Sequence, residues 1–284
     1  MKRIILPTDF SENAFNAALY ATRLFAREKC TFYLLHTYTP SAFYVGYNTL
    51  NTYSSLQLEE MVAENAKRGL EEVEARIKQE EQNTNHQFVK IAAFNLLTNE
   101  IENLVETHGI DLVVMGTKGA TGAKEVFIGT QTVHALKKAK CPILAVPASF
   151  HYEAPKEILF ATDFKFEQNN PFFPLIKDIA QNNAARINIL NAYYGYPLSE
   201  EQEGNKDFMD NYFKSASHIF HTAENVAVVV AVEEFQIKHK INFMVMVQNQ
   251  HTFFENLLFK PVINEIAYHT QVPFLVIPSK DKIQ

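Results

Sequence analysis

Leu112-Val113-Val114-Met115-Gly116-Thr117-Lys118-Gly119, followed after nine residues by Gly129-Thr130-Gln131, decides how this chain is read. The first four residues are an apolar run of strand type. The segment Gln131 to Lys140 has the pattern of an amphipathic helix. A strand, a glycine loop and a helix start, in that order, make an anion site. Glycine lets backbone amides approach a phosphate without a Cβ in the way. The first helical amides lack internal partners and sit at the positive end of the helix dipole. Thr130 adds a hydroxyl expected to cap the helix and to donate to a phosphate oxygen. The set is neither the Walker loop nor the Gly-x-Gly-x-x-Gly dinucleotide pattern, and a plain tight turn would use the same glycines.

Working outward, short apolar runs alternate with helical patterns. The runs are Arg3 to Leu6, Thr31 to His36, Phe88 to Phe94, Leu112 to Met115 and Ile143 to Val146. Between them Ala14, Ala18, Ala21 and Phe25 recur at helical spacing, and Leu56 to Glu80, Leu97 to His108 and Thr132 to Lys140 read as further helices. Strands without internal alternation, separated by helices, imply a parallel sheet covered on both faces. In such sheets ligands bind outside the carboxyl ends of the strands, where strand order reverses.

The pattern then repeats. Lys2 to Phe10 returns as Lys156 to Phe164, His36-Thr37-Tyr38 as Asn191-Ala192-Tyr193, His108 to Met115 as His239 to Met246, and Cys141 to Pro147 as Val272 to Pro278. The 284 residues therefore divide into two α/β domains, residues 1–150 and 151–284, each a doubly wound parallel sheet of Rossmann-like type. The second copy loses the glycine set. At a constant offset, Gly116, Gly119, Gly129 and Thr130 become Val247, Gln250, Lys260 and Pro261, with Phe253 and Phe254 inside the loop. The fold pattern persists there and the phosphate loop does not.

The formal charge of −6 and the absence of a basic arm argue against nucleic acid as a partner. The longest aliphatic run, Val226 to Val232, is too short to span a bilayer. Cys30 and Cys141 suggest no disulfide framework. The first strand-like run begins at once, without a signal-peptide pattern, so the expected compartment is the cytoplasm.

At the end of the first strand, Pro7-Thr8-Asp9-Phe10-Ser11 places a carboxylate on the same sheet edge as the glycine loop. An acceptor there suits a ribose hydroxyl or a base amino group, while Ser11 reads as a helix N-cap. Here the chain resembles the universal stress protein family in its ATP-binding form. The Gly-x-x-Gly, nine residues, Gly-Ser/Thr pattern is met without a gap at Gly116, Gly119, Gly129 and Thr130, and the family's strand ending in Asp is met at Pro7-Thr8-Asp9. The likeness covers the whole chain as two tandem domains of the adenine nucleotide alpha hydrolase-like kind. It implies ATP, with or without Mg, as cofactor. It assigns Asp9 and its neighbours in the Pro7-Thr8-Asp9 segment to the adenosine and the glycine set with Thr130 to the phosphates, with Met115 and Gln131 as flanking contacts and His36 beside the base. It further implies that the last strands pair, Ile143-Val146 with Phe274-Ile277, in an intramolecular pseudo-dimer, with room for a homodimer and an unidentified protein partner. A nucleotide-responsive regulator, a slow ATP hydrolase and a nucleotide-independent scaffold remain three readings of this likeness. Against the hydrolase, the motif carries no paired carboxylates, catalytic lysine or arginine finger.

Two weaker features remain. His218, His221 and Glu224 at spacings of three would share a helical face and could hold a metal, or merely face solvent. Tyr38, Tyr44, Tyr47 and Tyr53 mark a long segment that reads as a lid, a partner contact or plain surface.

Overall fold

The computed structural model describes residues 1–38, 52–117, 129–193, 197–248 and 271–279. The chain forms two compact units, Met1–Tyr152 and Glu153–Gln284. The first extends two residues beyond the expected boundary for a physical reason. Tyr152 packs edge-on against Tyr20, with ring centroids 5.2 Å apart, and Asn16 Nδ2 donates to the Phe150 carbonyl at 3.0 Å.

The first unit runs β1 (Lys2–Pro7), α1 (Glu12–Leu24), β2 (Cys30–Tyr38), α2 (Thr52–Glu80), β3 (His86–Phe94), α3 (Leu97–His108), β4 (Leu112–Gly116), α4 (Thr130–Lys138) and β5 (Ile143–Val146). Its strands lie in the order β3-β2-β1-β4-β5, and every described pairing is parallel. The chain moves one way from β1 to β2 and β3, then returns to the other side of β1 with β4. That reversal puts the switch point between β1 and β4. Both strands are buried along most of their length, as a sheet covered on two faces requires.

The helices attach by apolar stripes. On α1 the expected face of Ala14, Ala18 and Ala21 is buried, and Phe25 caps the helix C-terminus with its ring enclosed. On α2 the stripe is Ala66, Leu70, Val73 and Ile77. Burial of each larger side chain stabilises by about 2 kcal/mol. The solvated Arg76–Glu12 ion pair between α2 and α1 adds well under ~1 kcal/mol, so packing holds α2 in place. α2 begins at Thr52, earlier than the charged pattern suggested, so Tyr53 belongs to the helix.

The second unit runs β6 (Glu157–Ala161), α5 (Phe173–Asn182), β7 (Arg186–Tyr193), α6 (Glu200–Tyr212), β8 (Ser217–Glu224), α7 (Val228–His239), β9 (Phe243–Gln248) and β10 (Phe274–Pro278). Its order, β10-β9-β6-β7-β8, is that of the first unit, with every described pairing parallel. The ends of α3 and α7 illustrate the repeat. Gly109 closes α3 at φ 60°, where glycine is at ease, whereas Lys240 closes α7 at φ 51° and bears the cost of a side chain there. His218, His221 and Glu224 lie on strand β8, not on a helix, which corrects the shared-face reading. A strand's period of two puts His218 and His221 on opposite faces, and no metal-holding group of three occurs among the described residues. No helix among the described residues is long and apolar enough to cross a membrane.

Cys30 and Cys141 are buried, and desolvation pushes each thiol up to about 12. Each thiol stays protonated in the fold, while an unfolded thiol ionises near ~8.5. This stability is complete below that value and is lost as pH rises toward about 12. A colorimetric thiol reagent at about pH 8 should find neither cysteine in the native chain and both after denaturation.

Candidate functional site

The carboxyl end of β1 turns sharply. Thr8 N bonds to Leu35 O at 2.8 Å, extending the β1–β2 ladder by one residue. Phe10 N then bonds to Thr8 Oγ1 at 3.0 Å, and Ser11 donates to Asp9 Oδ1 from its amide at 3.1 Å and its hydroxyl at 2.5 Å. Ser11 Oγ in turn accepts from Ala14 N at 3.2 Å, the expected N-cap. Asp9 is exposed, and one carboxylate oxygen already braces this turn. Pro7 is buried at the strand end.

Phe10 holds the turn's unusual backbone, with φ 65°. A non-glycine residue in that region costs roughly 1 kcal/mol. The turn brings the Phe10 ring onto His36 at 4.3 Å, near parallel. Helix α2 also approaches this ring at Gly69, where an added Cβ would stand 2.7 Å from Phe10 Cε1 and Cζ. His36 Nδ1 lies 2.8 Å from Thr8 O. A carbonyl only accepts, so Nδ1 carries the proton and Nε2 is the acceptor of the neutral ring.

The end of β4 departs from the sequence expectation in two ways. An added Cβ at Gly116 would stand 2.5 Å from Asn13 Nδ2 and 2.7 Å from Asn13 Cγ. The glycine is thus demanded first by α1, which packs Asn13 against the strand end. Gly129, not Thr130, is the N-cap of α4; its φ of −59° suits any residue, and no side chain caps this end. Thr130 is the first helical residue and, like Gln131, is exposed. The hydroxyl that ties helix to strand belongs to Thr132, buried and donating to Gly116 O at 2.9 Å. Thr117 N bonds Val146 O at 3.0 Å, and Gly129 N donates to Thr117 O, so the loop's two ends meet. Met115 is buried inside β4. Gly119 lies outside the described residues, as do Tyr44 and Tyr47.

The first unit therefore brings Thr8, Asp9, His36, Gly116, Gly129, Thr130 and Gln131 to one edge, at the switch point. Sequence reading missed Asn13 and Thr132. Each occupies an ordinary helical position, and their partners are named only by the approach of α1 and α4 to β4.

The second unit repeats the turn and fills it. Phe164 N bonds to Thr162 Oγ1 at 2.9 Å, Lys165 N to Asp163 Oδ1 at 3.1 Å, and Phe164 has φ 58°. Asn191 donates to Thr162 O at 2.9 Å where His36 donates to Thr8 O. Helix α6 then reaches in. Gln202 Nε2 donates to Asp163 O at 2.7 Å, and Asn205 Nδ2 to Phe164 O and Phe166 O at 2.8 and 2.9 Å. Phe164 is buried, whereas Phe10 is 37% exposed. Val247, in the register position of Gly116, is buried in β9. Gln250, Phe253, Phe254, Lys260 and Pro261 fall outside the described residues.

Comparison with known proteins agrees with this architecture. The model of the Universal stress protein family matches residues 1–147. Universal stress protein MJ0577 of Methanocaldococcus jannaschii is 29% identical over 157 residues, covering 51% of this chain and 94% of that one. Universal stress protein MJ0531 of the same organism is 26% identical over 145 residues, covering 51% and 81%. Across nearly the full length, the crystal structure of a universal stress protein from Archaeoglobus fulgidus superimposes with a TM-score of 0.63 at 14% identity, covering 97% of this chain and 98% of that one. At that identity the likeness speaks for the fold.

If Asn13 is what excludes a side chain at Gly116, Gly116→Ala should cost about 1–3 kcal/mol in denaturant unfolding. The penalty should shrink in an Asn13→Ala background. Equal penalties in both backgrounds would remove this contact as the reason for the glycine.

Proposed function

The chain belongs to the universal stress protein family, and from that premise we propose that its first unit binds an adenine nucleotide, ATP with or without Mg, as a regulatory ligand. The observation that carries the reading is the pairing of opposite chemistries at one switch point. The α4 start offers donors: the amides of Thr130, Gln131 and Thr132 lie in the first turn, where a helix has no acceptor of its own, and Thr130 adds an exposed hydroxyl. No acidic residue stands in that turn to oppose a phosphate. The β1 turn offers acceptors, the exposed Asp9 carboxylate and His36 Nε2, which suit ribose hydroxyls and an exocyclic amine. Asn13 of α1, the helix that follows the β1 turn, packs on Gly116 at the end of β4.

In this reading Gly116, Gly119, Gly129, Thr130 and Gln131 hold the phosphates. Pro7, Thr8, Asp9 and His36 form the adenosine side, and Met115 flanks it from inside β4. A bound triphosphate brings negative charge to the start of α4, and the protein couples binding to a partner surface through any conformation that favours the bound state. The second unit serves intramolecular pairing or a protein partner and takes no nucleotide, because α6 side chains already bond its turn carbonyls and Val247 replaces the glycine. We assign the protein to the cytoplasm on the same family likeness.

Calorimetric titration of the full chain with ATP should give one site. Thr130→Ala and Asp9→Asn, the latter keeping the Ser11 bonds, should each weaken it by about tenfold, equivalent to ~1.4 kcal/mol. Asp163→Asn should leave it unchanged. Loss of binding on Asp163→Asn with no effect of the other two would overturn the assignment to the first unit. A titration without heat, together with no nucleotide released on denaturation, would overturn nucleotide binding itself.

A further inference from the structure

The second unit carries an imidazole pair that the first lacks. His221 lies on β8 and His239 ends α7, with ring centroids 5.3 Å apart. Both pack on Phe235, His221 edge-on at 4.7 Å and His239 stacked at 4.0 Å. Beneath His221 a chain of hydrogen bonds runs into the sheet. The buried Asn188 donates from Nδ2 to Glu157 Oε2 at 2.9 Å and to Ile158 O at 3.4 Å. That orients its amide, so Oδ1 is the acceptor 3.1 Å from His221 Nε2. His221 therefore keeps a proton on Nε2, and any second proton goes to Nδ1.

Register identifies the counterparts in the first unit. Leu35 pairs with Ile91 as Leu190 pairs with His221, so Ile91 stands where His221 does. His108, at the end of α3, matches His239 and packs edge-on at 5.3 Å against Tyr33, the counterpart of Asn188. One unit thus closes this contact with an aliphatic and a phenol, the other with a second imidazole.

We propose that the His221–His239 pair makes the docking of α7 on the second unit's sheet acid-sensitive. With neutral rings the pair and Phe235 form one apolar contact beneath a helix that packs on β6 and β7. With both rings protonated, like charges face each other across that contact. The other groups facing His221 do not relieve them. Lys238 on α7 and Arg186 on β7 are cationic, and the Glu157 carboxylate on β6 already takes Arg186 Nε and Nη2 at 3.0 and 2.7 Å. Burial first, then His239, Arg186 and Lys238, hold His221 below the ordinary histidine range. The unfolded ring takes up a proton near pH ~6.5 and the folded ring resists it. The contact is therefore at full strength above that pH and weakens as pH falls below it.

Hydrogen exchange of the full chain, corrected for the intrinsic pH dependence, tests this at the α7 amides. From about pH 7.5 to about 5.5 their protection should fall several-fold, about tenfold being the ceiling for one histidine that ionises near ~6.5 when unfolded. The α3 amides of the first unit should show no such fall. His221→Ile, which installs the first unit's residue, should flatten the α7 profile. His239→Gln, a change at a partly exposed site, should lessen the decline without abolishing it and raise the pH at which His221 titrates in proton NMR. An α7 profile that is flat in the parent chain, or a decline that survives undiminished in both variants, would overturn the proposal. None of these readouts depends on nucleotide.

Discussion

Burial of β1 and β4 on both faces is the constraint from which the rest of the first unit follows. Strands enclosed by helices have no face left for chemistry. Their polar business is confined to the carboxyl ends, and the reversal of strand order sets two of those ends side by side with no connection bridging them. The glycine at the end of β4 belongs to this constraint before it belongs to any ligand. α1 approaches the strand end so closely that Asn13 fills the space of a side chain at Gly116. The residues proposed to hold phosphate thus stand on a corner that packing has already made tight.

The two units solve the β1-type turn in the same way and then diverge. Each puts a phenylalanine in the left-handed region, each bonds that residue's amide to a threonine hydroxyl, and each braces the strand-end carbonyl from the neighbouring strand. A strained residue kept in both copies marks the turn as part of the fold. What differs is the cover. In the first unit α2 touches the Phe10 ring at Gly69 and leaves it partly exposed. In the second, Gln202 and Asn205 of α6 bond the carbonyls of the turn itself. Polar groups that solvent or a ligand would satisfy in one copy are satisfied internally in the other. The same drift shows at the helix that follows the third strand, where an aliphatic and a phenol in the first unit give way to an imidazole and an amide in the second.

Much of this was legible beforehand. Apolar runs without alternation announced parallel strands buried on both faces, and recurrence of four segments in order announced two similar halves. The glycine set and the Asp9 turn were visible as patterns because local backbone needs impose them residue by residue. The capping of α4 was misread because Thr130 and Gly129 are adjacent and both suit a cap; the path of the chain chose Gly129. The histidines of β8 were misread because a spacing of three is informative on a helix and not on a strand.

By itself, then, the order of residues determined the element types of the first unit, the strand character and the repeat, since these follow from periodicity and short-range sterics, while β8 showed how a single spacing misleads. Tertiary structure alone decided which contacts those residues serve. It set Asn13 against Gly116, Thr132 on the Gly116 carbonyl, His36 on the Thr8 carbonyl and His221 beside His239. Each of these joins segments whose separation along the chain carries no signal, because the energy of close packing depends on approach in space, which a single sequence does not record.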